Sequence, residues 1–160
     1  MKKSAPTINL SAEQIIQKLE IFCAYRERCS SEIIQKMVQL KVEQNDYNTY
    51  IDYLRDNNFF NEERYVASFV RGKATIKNWG KRKITQALQQ KKIDSKLIQE
   101  NIENLDEGVY FMQLNDLILK KLATLKAKDN FEKKQKLIRF AMQKGYELRW
   151  INEVLNEINL

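Results

Sequence analysis

Apolar residues recur at helical spacing from about residue 12 to the end of the chain, and capping residues interrupt them at regular intervals. Ser11-Ala12-Glu13-Gln14 reads as a capping box, in which the Ser side chain serves a free amide and the Gln reaches back. A helix follows to about Arg28, with Ile15, Leu19, Phe22 and Cys23 on one face. Arg28 to Glu32 breaks and restarts it, and the next helix carries Ile33, Ile34, Met37 and Val38, with Val42 beyond. Asn45-Asp46 caps a third, which turns Tyr47, Tyr50, Ile51 and Leu54 inward and ends at Asp56-Asn57-Asn58.

Asn61 is a helix N-cap, and Glu62 and Glu63 follow where acids suit the positive end of the helix dipole. Tyr65, Phe69 and Ile76 fall close to one face, widened by Val66 and Val70. An elbow, Asn78-Trp79-Gly80, comes next. Gly80 is expected to use backbone angles that other residues resist, with Trp79 as an apolar anchor beside it. Ile84 and Leu88 begin a new face. Asp94 caps a further helix carrying Leu97, Ile98, Ile102 and Leu105, and Gly108 is expected to allow a turn. A long helix from about Val109 to Lys126 carries Phe111, Leu114, Leu117, Ile118, Leu122 and Leu125. Asp129-Asn130-Phe131-Glu132 reads as another capping box, ahead of Leu137, Ile138, Phe140 and Ala141. Gly145 is expected as a C-terminal cap at positive φ, and the last helix holds Leu148, Ile151, Val154, Leu155 and Ile158.

These helices, about nine, repeat. Ile84, Leu88, Ile93, Ile98, Ile102 and Leu105, moved on by 53, fall on Leu137, Ala141, Tyr146, Ile151, Leu155 and Ile158. Moved back by 50 or 51, Ile84, Leu88, Ile102 and Leu105 fall on Ile34, Val38, Ile51 and Leu54. The expected fold is all-α, with three tandem three-helix repeats stacked on their neighbours in an elongated array whose curvature stays open. The expected boundaries are a flexible tail over 1–11, then repeats over 12–58, 59–106 and 107–160.

Composition agrees: the chain of 160 residues is 43% hydrophobic, with one proline and four glycines to break helices. No apolar run approaches the ~18 residues that span a membrane, and the N-terminus lacks the apolar core of a secretory signal, so a cytoplasmic protein is expected. Cys23 and Cys29, six apart, are expected as buried thiols rather than a disulfide. With no histidine, no common zinc set and no ordinary general base exist, and neither GxxxxGK[ST] nor GxGxxG occurs. The acidic pairs Glu62-Glu63 and Asp106-Glu107 sit at helix starts, where the dipole explains them. An enzyme is not expected, nor a metal or other cofactor.

Charge changes the picture more. The sequence pI is about 9.3, and positive charge is gathered in blocks. From Arg71 to Lys92 lie eight bases and no acid, a block of +8 against +7 for the whole chain. Residues 1–60 balance, 93–119 carry −5 and 120–144 carry +7. A lysine-rich face is often merely solvated, but two such blocks point to a polyanion or an acidic protein surface as partner. Trp79 and Tyr65 read first as core and second as platforms for base stacking. A sequence-reading helix-turn-helix at the elbow lacks a dimer element beside it.

The stretch FNEERYVASFVRGK, from Phe60, followed by WGKRKITQALQQKKI, from Trp79, resembles the central repeat of the RecX family, regulators of the bacterial recombinase RecA. The resemblance rests on Phe60-Asn61, Glu62 and Glu63, Arg64-Tyr65, Phe69, Trp79-Gly80 and Lys91 to Ile93; Val66-Ala67 departs from it, where the family has Ala first. In the first repeat the match is Arg26-Glu27-Arg28-Cys29-Ser30-Ser31-Glu32-Ile33, with Cys29 in the usual Ser place and Ser30 or Ser31 left to supply the cap. The third repeat matches through Lys136 to Phe140 and Lys144-Gly145-Tyr146. The resemblance implies three tandem three-helix repeats, no enzymatic activity, and binding to the RecA filament on single-stranded DNA; a monomer is expected because nothing in the sequence demands a dimer. It further implies inhibition of the filament's ATPase, strand-exchange and coprotease activities, and so a part in DNA repair, recombination and the SOS response. Arg71, Lys73, Lys77, Lys81, Arg82 and Lys83 are the expected main contact surface, and Lys133, Lys134, Lys136 and Arg139 a second. The alternatives are a general helical protein that acts on DNA directly and a pure protein-interaction scaffold.

Overall fold

The computed structural model describes residues 9–160; the tail expected over 1–11 lies largely outside the described residues. Among them the chain is all-α, with nine α-helices and no strand. They form two compact units, divided between Tyr65 and Val66.

The first unit packs α1 (Ala12–Tyr25), α2 (Ser30–Gln39) and α3 (Tyr47–Asp56) on one another. Its core holds Leu19, Ile33, Met37 and Leu54, with Phe60 closing it. Ser11 makes the expected capping box: its side chain accepts from the Gln14 amide at 3.2 Å, and Gln14 accepts the Ser11 amide at 2.9 Å. The helix stops at Tyr25, short of the expected Arg28. At α2 the Glu32 carboxylate takes the Cys29 amide at 3.2 Å. Ser30 does not cap; its own amide and hydroxyl both donate to Glu62, at 3.1 and 2.8 Å. A 3-10 turn over Gln44–Asp46 leads into α3, and Asp46 makes no side-chain cap. Both thiols are buried and free.

α4 (Glu62–Thr75) crosses the division between the units. Asn61 caps it, accepting the Arg64 amide at 2.8 Å. Its buried residues are Tyr65, Val66, Val70 and Ala74. Ile76, expected on the same face, lies past the helix end and is 76% exposed. The second unit continues with α5 (Lys81–Gln90) on α6 (Ser95–Glu103), and with α7 (Glu107–Thr124), α8 (Asn130–Gln143) and α9 (Leu148–Glu157) packed on one another. Asp94, Asp106 and Asp129 cap α6, α7 and α8 through their side chains. Gly108 therefore sits inside the first turn of α7 rather than making a turn of its own. The capping box at Asp129 is shifted, because Glu132 accepts the Lys128 amide at 2.7 Å instead of the Asp129 amide. Leu148, expected inward, is exposed at the start of α9.

The repeat is written in the backbone. α2, α5 and α8 each run into a residue at positive φ: Lys41 at 58°, Lys92 at 61° and Gly145 at 93°. One residue later Val42, Ile93 and Tyr146 are buried, and their amides bond back to the carbonyls of Met37, Leu88 and Ala141 at 3.0, 3.2 and 3.2 Å. This is the same Schellman turn three times. Its spacing corrects the register of the first repeat. Ile84 and Leu88 correspond to Ile33 and Met37, both fully buried, whereas Ile34 and Val38 are 36% and 58% exposed. A constant offset of 51 relates the first and second copies because the turn, not the apolar run, sets the register.

Candidate polyanion-binding elbow

The elbow begins where α4 stops. Asn78 takes a left-handed φ of 50°, which a short polar side chain tolerates, and the Trp79 amide bonds back to the Lys73 carbonyl at 3.0 Å. The indole is half-buried, and lysines from both flanking helices lie on it. Lys73 Nζ, from α4, and Lys83 Nζ, from α5, are each 4.7 Å from the Trp79 ring centroid. Lys73 is also 5.2 Å from the Phe69 ring. Trp79 is thus a platform that gathers cations, which its ring quadrupole attracts.

Gly80 is the other half of the elbow. Its φ of −76° and ψ of 164° are ordinary extended backbone, so conformational freedom is not its purpose. Space is: a Cβ at Gly80 would overlap the Gly145 carbonyl and the Tyr146 nitrogen in the turn between α8 and α9. That approach lets the start of α5 dock on the end of α8. The Gly80 amide donates to the Lys144 carbonyl at 2.8 Å and the Arg82 amide to the Gly145 carbonyl at 3.1 Å. The Lys81 amide donates to the Tyr110 hydroxyl at 3.0 Å, and that hydroxyl donates to Glu147 Oε2 at 2.6 Å. Amides that a helix N-terminus normally leaves free are therefore occupied by protein oxygens.

Two consequences follow. A phosphate cannot settle on these backbone amides, so an anion at the elbow meets side-chain cations instead. And Lys81, Arg82 and Lys83 stand in the first turn of α5, at the positive end of its dipole, where each basic residue costs ~0.3–1 kcal/mol. The carbonyl end of α8 offsets this in part. Helix stability is not a reason for three consecutive cations here.

Arg71, Lys77 and Arg82 are exposed, and Lys73, Lys81 and Lys83 are half-buried along their stems. Lys81 Nζ is 5.0 Å from the Tyr110 ring. Within this set no cation forms an ion pair among the described residues. The second expected set, on α8, is more engaged. Lys136 pairs with Glu132 at 2.8 Å and donates to the Lys126 carbonyl at 2.9 Å, and Lys134 donates to the Leu160 carbonyl at 3.3 Å. Lys133 is half-buried, and Arg139 is exposed beside an open groove floored by Ile138 and Met142. Lys133 to Lys136 lie roughly 13–18 Å along the helix from Gly145, and Arg139 roughly 9 Å, at 1.5 Å per residue, so the lysines of the second set stand away from the elbow. Tyr110 is the residue that sequence reasoning missed. It is buried, one position from the expected Phe111, and only its hydroxyl bonds reveal its role.

Residues 61–100 match the family model of the second three-helix domain of RecX, and residues 109–155 that of the third. The chain is 31% identical over 156 residues to a protein of Vibrio parahaemolyticus named Regulatory protein RecX, covering 97% of this chain and 95% of that one. It is 29% identical over 133 residues to the Regulatory protein RecX of Acinetobacter baylyi, covering 83% of this chain and 80% of that one. It is also 25% identical to that of Clostridium perfringens, of whose length it spans 62% and which covers 82% of this chain. In fold it is similar to the crystal structure of RecX from Lactobacillus salivarius, with a TM-score of 0.83 at 18% identity, covering 92% of this chain and 96% of that one. The matched domains hold both halves of the elbow, Trp79-Gly80 and Lys144-Gly145, and together with the near full-length likeness to the Vibrio protein they show that the chain belongs to the RecX family.

Proposed function

We propose that this protein binds the filament that the RecA recombinase forms on single-stranded DNA and restrains its ATP hydrolysis, strand exchange and coprotease activity. Membership of a family of regulatory proteins supports this reading. What carries it on the molecule is the elbow: six cations without ion-pair partners among the described residues, two of them on one indole and three in the first turn of α5, where the helix dipole disfavours them. Such a surface suits a ribbon of phosphates or an acidic protein groove. The second set, Lys133, Lys134, Lys136 and Arg139, would add a weaker contact. The reading takes the protein as a monomer in the cytoplasm, with a filament and its DNA as partners and no cofactor.

The test is ATP hydrolysis by the cognate recombinase on single-stranded DNA, with this protein titrated upward from sub-stoichiometric amounts. Loss of hydrolysis well below one molecule per DNA site is expected. The variant R71E/K77E/R82E, which changes only exposed side chains, should lose most of that inhibition with its helical circular dichroism unchanged. Full inhibition by this variant would sink the assignment. Inhibition that appears only when the protein saturates the strand would favour direct action on DNA.

A further inference from the structure

Between α1 and α2 the first unit opens a cavity of about 220 Å³, walled in part by Phe22, Arg26, Arg28 and Lys36. Three cations face it, and the one carboxylate there is Glu32. That carboxylate is already engaged. Glu32 Oε1 pairs with Arg26 at 2.9 Å, and Oε2 accepts the Cys29 amide. Arg28 is held differently. Its Nε donates to the Phe22 carbonyl at 2.9 Å, and its guanidinium lies 3.8 Å from the Phe22 ring centroid. Its two terminal nitrogens have no partner among the described residues. Lys36 Nζ stands 5.5 Å from the same ring, also without an ion pair. Burial first, and the Arg26 charge second, hold the Arg28 guanidinium below its ordinary range, with the Glu32 charge opposing them.

We propose that this corner binds a phosphodiester of single-stranded nucleic acid, with the free Arg28 nitrogens and Lys36 Nζ on its two non-bridging oxygens. An arginine fixed by a stack and a backbone acceptor is preorganised, so little side-chain freedom is lost on binding. The two non-bridging oxygens of a phosphodiester diverge from one phosphorus, so one can take Arg28 and the other Lys36. Gln35 and Gln39 at the rim offer amides to neighbouring bases or sugars, and an arginine plane is itself a surface on which bases stack. The site lies in the first unit and does not depend on any action on the recombinase.

The test is binding of the full chain to a labelled oligothymidylate by fluorescence anisotropy over a range of KCl concentrations, with no recombinase present. R28Q and K36Q should each weaken binding roughly fivefold and lower the slope of log affinity against log salt by about one, as for a lost phosphate contact. K96Q, an exposed change on α6, should leave both unchanged. Lys36 makes no hydrogen bond through its side chain among the described residues, so K36Q keeps the test decisive if R28Q fails to fold. Wild-type affinity and slope in K36Q would overturn the proposal, as would no binding of the wild type at low salt. Normal strand binding by K36Q with weaker binding to the recombinase filament would assign the corner to a protein carboxylate and equally overturn it.

Discussion

Gly80 lies against the carbonyl of Gly145, so close that neither position has room for a side chain. On the far side a Cβ at Gly145 would strike Lys83, and Gly145 also needs its positive φ of 93°. The two glycines let the start of one helix be capped by the end of another.

The contact gives a sharp contrast between glycines. G80A should destabilise by about 3 kcal/mol or more, because backbone on both sides must move apart. G72A, in the interior of α4 with nothing within 4 Å of the added carbon, should stabilise by about 0.5–1 kcal/mol. Urea denaturation followed by circular dichroism measures both. Equal effects would mean that the close approach is not maintained in solution.

Tyr110 and Tyr146 stack with ring centroids 5.0 Å apart but use their hydroxyls oppositely. Y110F removes the acceptor of the Lys81 amide and should cost about 1–3 kcal/mol. Y146F removes a buried hydroxyl that has no partner among the described residues, and should be neutral or stabilising by up to about 1 kcal/mol. The same denaturation measurement reads both.

The register of the first repeat can be tested by two adjacent truncations. M37A empties a fully buried position and should cost about 2–5 kcal/mol. V38A, at a site 58% exposed, should stay within about 0.5 kcal/mol of wild type. A larger loss at Val38 than at Met37 would restore the offset of 50.

Burial pushes the Cys23 thiol up from 9.0 to about 11, against the opposing charge of Arg28. The folded state thus binds the proton more tightly than the unfolded one. The stability this contributes is fully present below pH 9 and is lost as pH rises through 11. Denaturation midpoints should fall across that window, and C23A should flatten that part of the fall. Burial raises Tyr65, Tyr110 and Tyr146 as well, so decline should continue above it. At neutral pH neither thiol should react with a thiol reagent until the protein unfolds.

Much of the architecture was legible along the chain. Ser11, Asn61, Asp94 and Asp129 cap helices as their neighbours indicate, because a capping bond spans only three or four residues. The gathering of cations between Arg71 and Lys83 was legible for a similar reason, being a property of composition alone. The helical period is also local, so nine amphipathic segments and their repetition could be read directly.

What the tertiary structure decided lies where two apolar neighbours compete, or where the partner is far away in sequence. Ile33 and Ile34 are equally suited to a core, and only the packing of α1 and α3 turns Ile33 inward. Gly80 looks like a residue chosen for its backbone angles until Gly145, 65 residues on, is brought against it. Arg28 looks like one basic residue among many until Phe22 and Lys36 converge on it. Periodicity and capping are set by bonds a turn long, whereas close approach and charge convergence are set by surfaces that meet only once the chain has folded.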